Sequence, residues 1–274
     1  MLEALLAFAF GLLIGSFLNV CIYRLPRDLS VVRPRSHCPE CEKQIAWYDN
    51  IPLVSYVRLK ARCRHCGARI PWRYPAVELI TGLLFFVIVI ALGPGLMAVK
   101  LCLFCALLVG MLFTDLEERI LPDEFTLGGT VVGLALAWFV PVKDIVAHAI
   151  LFRYAKVWDP RWFSVAESVA GAAIPTLILW AVAVLFEKFR GKEGLGLGDV
   201  KMMAMMGAFL GLRASLLILI LGALSGSLIG YTYLKVTKQD PNSYQLPFGT
   251  FLAAAGIFVA LEGEKVITWY ASLL

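Results

Sequence analysis

A series of apolar stretches recurs along the whole chain, and this feature constrains the fold more than any other. The eight stretches contain 11 to 22 residues each and cover residues 2–23, 76–92, 96–114, 125–140, 168–186, 202–212, 214–234 and 248–261. A helix needs about 20 apolar residues to cross the hydrocarbon core of a bilayer, so the shorter stretches require flanking residues as well. The alternation of apolar and polar residues that a membrane β-barrel needs is absent.

The composition agrees with lipid as the solvent. The chain is 60% hydrophobic and 16% charged, whereas soluble domains have about 45–50% apolar and 25% charged residues. Soluble barrels, secreted disulfide scaffolds and disordered chains are therefore excluded. The sequence predicts an all-α polytopic membrane protein with about eight transmembrane helices, whose backbone polar groups are satisfied within each helix.

The one long polar segment, residues 24–74, carries 11 basic and four acidic residues, a net charge of +7. The positive-inside rule places this segment in the cytoplasm and the N-terminus outside. Because basic residues follow the first apolar stretch and none precede it, we expect that stretch to be retained and not cleaved as a signal peptide. The predicted organisation is a first transmembrane helix over 1–23, a cytoplasmic segment over 24–74 and a multi-span domain over 75–274.

Four cysteines in this segment form two Cys-x-x-Cys pairs, Cys38 with Cys41 and Cys63 with Cys66. Two such pairs complete a tetrahedral shell, for which Zn²⁺ is the usual ion, and a shell closed by four thiolates indicates a structural metal. The alternatives are disulfides, which a reducing cytoplasm disfavours, or free thiols. We interpret His37 and His65 as outside the metal shell, and Cys21, Cys102 and Cys105 as packing residues.

Two acidic residues stand at the ends of apolar stretches. Asp115 directly follows one stretch, and Asp199 follows the glycines of Gly194-Leu195-Gly196-Leu197-Gly198. Glycines permit positive φ and close backbone approach, so this loop is predicted to present Asp199 at the membrane boundary. Asp199 alone is explained as a helix cap, and Asp115 alone as an ion-pair partner of Arg119. Together, two such carboxyls can share a proton and act as an acid–base pair.

The Gly-x-Gly-Asp element after a membrane-edge Asp resembles the intramembrane aspartyl peptidases, a family that includes presenilin, signal peptide peptidase and the type IV prepilin peptidases. The segment GSFLNVCIYRLP (15–26), the two cysteine pairs and RYPAVELITG (73–82) resemble the bacterial type IV prepilin peptidases in that order. The resemblance implies that Asp115 and Asp199 are catalytic, and that Asp123 supports the motif or contacts substrate. The stretch between the two Asp motifs is longer than in many members, with the extra length near residues 141–165. Residues 141–167 are interpreted as a helix in the headgroup region or as a solvated loop.

The resemblance implies two reactions at the cytoplasmic face of a bacterial inner membrane. The short basic leader of a prepilin or pseudopilin is removed without a metal, and the new N-terminus is methylated with S-adenosyl-L-methionine as methyl donor. We hypothesise that Gly15, Asn19, Arg24 and Glu78 line or support the methyl-donor site; helix packing explains Gly15 and Asn19 equally well.

Three other functions are weighed against this one. They are a peptidase without methyltransferase activity, a transporter with a cytoplasmic zinc module, and a nucleic-acid-binding zinc module. Neither repeated halves nor polar residues through the helix centres support transport. Attraction to the membrane surface explains the basic segment more simply than nucleic acid does, so membrane lipid and no nucleic acid are expected as partners. The sequence leaves the oligomeric state open.

Overall fold

The computed structural model describes residues 1–142, 159–191, 195–238 and 246–273. Apart from short 3-10 turns and two isolated bridges, the regular structure of these residues is α-helical. The described residues form nine helices: α1 (Leu2–Arg24), α2 (Val54–Arg58), α3 (Arg73–Leu92), α4 (Leu96–Glu118), α5 (Asp123–Phe139), α6 (Pro160–Arg190), α7 (Leu197–Leu210), α8 (Leu212–Thr237) and α9 (Phe248–Ala271). The all-α prediction is confirmed.

Five helices of the described part are long and apolar enough to cross a membrane: α1, α3, α4, α6 and α8. The helices α5 and α7, with 17 and 14 residues, are short for this purpose; 14 residues rise only about 21 Å, against a hydrocarbon core of about 30 Å. The helix α9 carries Glu262, Glu264 and Lys265 in its second half. Eight spans thus stay a prediction, while five candidates are found.

The spanning candidates expose apolar side chains. Only 17% of the most apolar window of α6 is buried, although its mean hydropathy is 2.3, and α8 is similar with 28% and 2.0. A soluble protein rarely exposes contiguous apolar surface of this extent. These faces therefore suit contact with lipid tails.

The chain forms two compact units, Met1–Gly110 and Met111–Leu274, and the boundary falls within α4. In the first unit α1 packs along α3, and residues 25–72 include α2 and the four cysteines of the paired motifs. In the second unit α7 is the central helix, packed against α5, α6, α8 and α9. Its methionines Met202, Met203, Met205 and Met206 have no exposed surface.

Small residues let α6 and α7 approach closely. A Cβ on Gly207 would overlap the backbone of Gly171, and one on Gly171 would lie 2.5 Å from the carbonyl carbon of Gly211. The hydroxyl of Ser168 donates to the Ala208 carbonyl oxygen at 2.6 Å. Close backbone approach with hydroxyl bonds between helices is typical of packing in membranes.

Two sequence boundaries differ from the structure. The apolar stretch 202–212 was expected to lie in one helix, but α7 ends at Leu210 and Gly211 has φ 85°, so Leu212 begins α8. Of the segment 141–167, residues 160–167 form the first turns of α6, and residues 143–158 lie outside the described residues. The headgroup-helix interpretation of that segment stays untested.

Candidate active site

Asp115 and Asp199 lie within the second unit and come from different helices. Asp115 is in the last turn of α4, and Asp199 is in the first turn of α7. Their exposed fractions are 6% and 8%, so each carboxyl is buried. Burying two acidic groups costs free energy unless they are bonded or protonated, which marks the place as more than a surface turn.

The two carboxyls face the same small space beside Gly249, at the start of α9. A Cβ on Gly249 would lie 3.1 Å from Asp115 Cγ and 3.1 Å from Asp199 Oδ1. The two atoms are therefore separated by no more than about twice that distance. Two carboxyls within this distance are close enough to contact one water molecule or one peptide carbonyl together.

The Asp115 carboxyl is bonded to the start of a helix. Asp115 Oδ2 accepts from the backbone N–H of Thr250 at 2.6 Å and from its hydroxyl at 2.9 Å. Asp199 is the third residue of α7, and its backbone N–H donates to the Gly196 carbonyl oxygen at 3.1 Å. Asp199 Oδ1 is buried and has no hydrogen-bond partner among the described residues.

The glycines of the Asp199 motif allow neighbouring residues to pack closely against the backbone. Gly196 has φ −70°, and Gly198 lies in the first turn of α7; neither is among the residues with positive φ. The positive φ that glycine permits is used at neither position, because the helix begins here with an ordinary extended cap. A Cβ on Gly198 would lie 3.1 Å from Leu121 Cβ. Gly194 lies outside the described residues.

Asp123 lies at the start of α5 and is 57% exposed. Lys201 Nζ donates to both of its carboxylate oxygens, at 2.7 and 3.0 Å. This pair joins the first turn of α5 to α7, two residues after Asp199. Motif support and substrate contact both stay predictions for Asp123.

The first unit brings together the four cysteines that the spacing singled out. The Sγ atoms of Cys38, Cys41, Cys63 and Cys66 all lie within 4.8 Å of one another. Such spacing suits four thiolates around one ion at about 2.3 Å from each. The cluster can hold a metal ion, and His37 and His65 are not part of it.

The two cysteine pairs have the same backbone structure. The backbone N–H of Cys38 donates to the Lys43 carbonyl oxygen, and the Cys38 carbonyl oxygen accepts from the N–H of Glu42. The same two bonds join Cys63 to Ala68 and to Gly67. The donor of that second bond, Glu42 or Gly67, has φ 56° or 72°. Backbone N–H groups aimed at the sulfur lower the pKa of Cys63 to about 6, which favours the thiolate that binds metal.

Asp49 forms ion pairs with two arginines of the polar segment, close in sequence to the second cysteine pair. Its carboxylate accepts two bonds from Arg64, both 2.6 Å, and one from Arg58 at 2.7 Å. The hydrogen bonds from Arg64 and Arg58 outweigh desolvation and lower the pKa of Asp49 to about 2. Asp49 is thus ionised at neutral pH and ties the second cysteine pair to α2.

Three residues of the hypothesised methyl-donor site lie where α1 crosses α3. A Cβ on Gly15 would lie 2.6 Å from Glu78 Cα. Asn19 Nδ2 donates to the Tyr74 carbonyl oxygen at 3.0 Å, and Glu78 Oε2 accepts from the Leu53 N–H at 2.8 Å. These contacts hold the two helices and the polar segment together.

Arg24, the fourth residue, lines a pocket. Its guanidinium is buried and donates to the carbonyl oxygens of Ser30 and Pro34, both at 2.8 Å. The pocket has a volume of about 660 Å³ and lies between α1 and residues 31–50, within the roughly 300–1,000 Å³ of small-molecule sites. Other lining residues include Ser16, Arg35, Trp47 and Asn50.

Sequence reasoning missed Gly249 and Thr250. They were included in the apolar stretch 248–261 and interpreted only as part of a span. The available signal was local: Pro247, Gly249 and Thr250 together mark a helix start. Nothing in that pattern indicated that Gly249 would lie against two carboxyls that are 50 and 134 residues away in sequence.

Comparisons with known proteins agree on one class. Residues 9–92 match the bacterial peptidase A24 N-terminal domain, and residues 102–231 match the type IV leader peptidase family. The chain is 36% identical to a prepilin leader peptidase/N-methyltransferase of Aeromonas salmonicida, over 98% of this chain and 94% of the relative. Relatives with the same name from Myxococcus xanthus and Pseudomonas aeruginosa are 40% and 33% identical, over 87% and 95% of this chain and 65% and 90% of their own lengths. No solved structure matches.

The chain therefore belongs to the type IV leader peptidase family. Asp115 and Asp199 both lie within the region that the family model matches, and the four cysteines lie within the N-terminal domain.

Proposed function

We propose that the chain removes leader peptides from prepilins or pseudopilins, with Asp115 and Asp199 as the catalytic pair, and methylates the new N-terminus. The observation that carries the peptidase half is the position of both buried carboxyls beside Gly249, each within 3.1 Å of one point. Family membership supports the same assignment.

The pair performs peptide hydrolysis by acid–base chemistry. One carboxylate takes a proton from water, and the resulting hydroxide attacks the scissile carbonyl carbon. The other carboxyl gives its proton to the carbonyl oxygen. As the tetrahedral intermediate collapses and the C–N bond breaks, the first carboxyl gives the proton that it took from water to the leaving amine. The second carboxylate takes back a proton from a hydroxyl of the intermediate. Two close carboxyls suit this scheme because they share one proton at neutral pH.

The pocket beside α1 is the proposed binding site for the methyl donor of the methyltransferase activity. S-Adenosylmethionine, when bound, supplies an electrophilic methyl group for the substrate amine. The residues that line the pocket fit this cofactor. Arg24 and Arg35 suit its carboxylate, and the exposed Trp47 offers an aromatic face to its adenine base. Of the four hypothesised residues, Arg24 faces the pocket, and Gly15, Asn19 and Glu78 support it through the α1–α3 crossing.

We further propose a structural Zn²⁺ on the four cysteines. The basic segment and the Asp pair face the cytoplasm of an inner membrane, with the N-terminus outside. Eight spans with this orientation place residues 24–74 on the side where a prepilin leader emerges.

The peptidase test incubates detergent-solubilised protein with a purified prepilin and follows the mass of both products. We expect a leader-sized mass loss and, with S-adenosylmethionine present, the gain of one methyl group on the mature N-terminus. An intact prepilin after long incubation with folded protein would contradict the proposal.

The pocket is tested by equilibrium binding of radiolabelled S-adenosylmethionine, with no substrate present. Trp47→Ala is expected to weaken binding about tenfold, since stacking contributes about 1–3 kcal/mol. Trp72, equally exposed in the same unit but outside the pocket, provides the control Trp72→Ala. Equal binding by both variants would place the methyl donor elsewhere.

A further inference from the structure

Thr250 lies outside the two Asp motifs, and the structure bonds it directly to the carboxyl of Asp115. It occupies the third position of α9, whose first residues have no carbonyl partner within the helix. Its backbone N–H reaches Asp115 Oδ2 at 2.6 Å, and its hydroxyl reaches the same oxygen at 2.9 Å. Thr250 lies beyond residues 102–231, which the family model matches.

The hydroxyl has a second acceptor within range, but a worse one. Its distance to the Leu112 carbonyl oxygen is 3.4 Å, against 2.9 Å to Asp115. A hydroxyl has one proton to donate, and the shorter distance assigns that proton to Asp115 Oδ2.

Two donors on one oxygen fix how the carboxyl is turned. Oδ2 is held by Thr250, and the carboxyl carbon of Asp115 lies 3.1 Å from the Cβ position of Gly249, as does Asp199 Oδ1. A carboxyl held only by its own helix would rotate about its last torsion, which is broad for aspartate. Catalysis depends steeply on such orientation.

We propose that Thr250 is a positioning residue of the peptidase: its hydroxyl holds Asp115 in the orientation in which the carboxyl pair activates water. This inference rests on the proposed catalytic pair. The role acts through Asp115, and Thr250 itself need not touch the substrate.

The test compares Thr250→Val, which keeps the size and the backbone N–H but loses the hydroxyl, with Thr250→Ser, which keeps the hydroxyl. We expect kcat for prepilin cleavage to fall about tenfold to a hundredfold in Thr250→Val, with KM changed less than about twofold. Thr250→Ser is expected to stay within about threefold of the unchanged chain. If Thr250→Val does not accumulate, Thr250→Ala lacks the same hydroxyl and is expected to lose kcat likewise.

Thr130→Val is the matched control, because the Thr130 hydroxyl donates only to its own helix, at 2.8 Å to the Thr126 carbonyl oxygen. We expect it to cleave normally. An unchanged kcat in Thr250→Val, or an equal loss in Thr250→Ser, would overturn the inference. The proposed function fails differently: cleavage would then survive the loss of Asp199.

Discussion

Asp115 and Asp199 lie on two sides of one glycine: a Cβ on Gly249 would be 3.1 Å from the carboxyl carbon of the first and 3.1 Å from a carboxyl oxygen of the second. The helices that carry the three residues are α4, α7 and α9. The start of α9 therefore completes the site, which the two Asp motifs alone do not define.

A methyl group at Gly249 is expected to fill the gap between the carboxyls. Gly249→Ala should lower kcat/KM for prepilin cleavage about a hundredfold, because a displacement of about 1 Å in a reacting group has that effect. Gly128→Ala serves as the control, since a Cβ on Gly128 meets nothing within 4 Å. Equal cleavage by the two variants would show that the gap is not where substrate reacts.

A substitution at Gly15 distinguishes the two explanations offered for this residue, which are a methyl-donor site and helix packing. A Cβ there would lie 2.6 Å from Glu78 Cα, a backbone atom that cannot move alone. We expect Gly15→Ala to lower the free energy of unfolding by about 1–3 kcal/mol, the usual effect of overpacking. Thermal unfolding in detergent measures this, with Gly95→Ala as the control in open space. An unchanged melting temperature together with lost S-adenosylmethionine binding would favour a direct cofactor role instead.

Removal of the metal is expected to unfold residues 24–74. Purified protein should contain about one zinc per chain, measured by mass spectrometry of the metal. Chelation or Cys63→Ser should remove it and open the basic segment to trypsin, because metal binding and folding are coupled. Cys102→Ala, in the buried part of α4, should keep the zinc. Full zinc content in Cys63→Ser would contradict the four-thiolate site.

Much of this arrangement follows from sequence patterns with a clear physical cause. Each apolar stretch lies in helical structure because a run of such residues has no other stable form in lipid. The cysteine pairs converge because their spacing is that of metal knuckles, and all four Sγ atoms lie within 4.8 Å of one another. The two Asp motifs indicated acidic groups at helix ends, which is where Asp115 and Asp199 lie.

What the sequence did not predict depends on tertiary packing. The number of membrane crossings is ambiguous where a helix is short and mostly buried, as α7 is. The glycines before Asp199 permit either positive φ or close approach, and only the tertiary structure shows that Leu121 lies against Gly198. Thr250 carries no catalytic signature, and only the approach of α9 to α4 gives its hydroxyl a carboxylate to bond.

The most direct measurement of the central claim is the cleavage rate of a purified prepilin by Asp115→Asn and Asp199→Asn, each compared with Glu124→Gln. Glu124 is exposed at the start of α5 and keeps the comparison within acidic residues of the same region. We predict normal cleavage by Glu124→Gln and a fall of about 10²- to 10⁴-fold in each Asp variant, with unchanged thermal unfolding. Substantial cleavage by Asp199→Asn would contradict the catalytic pair.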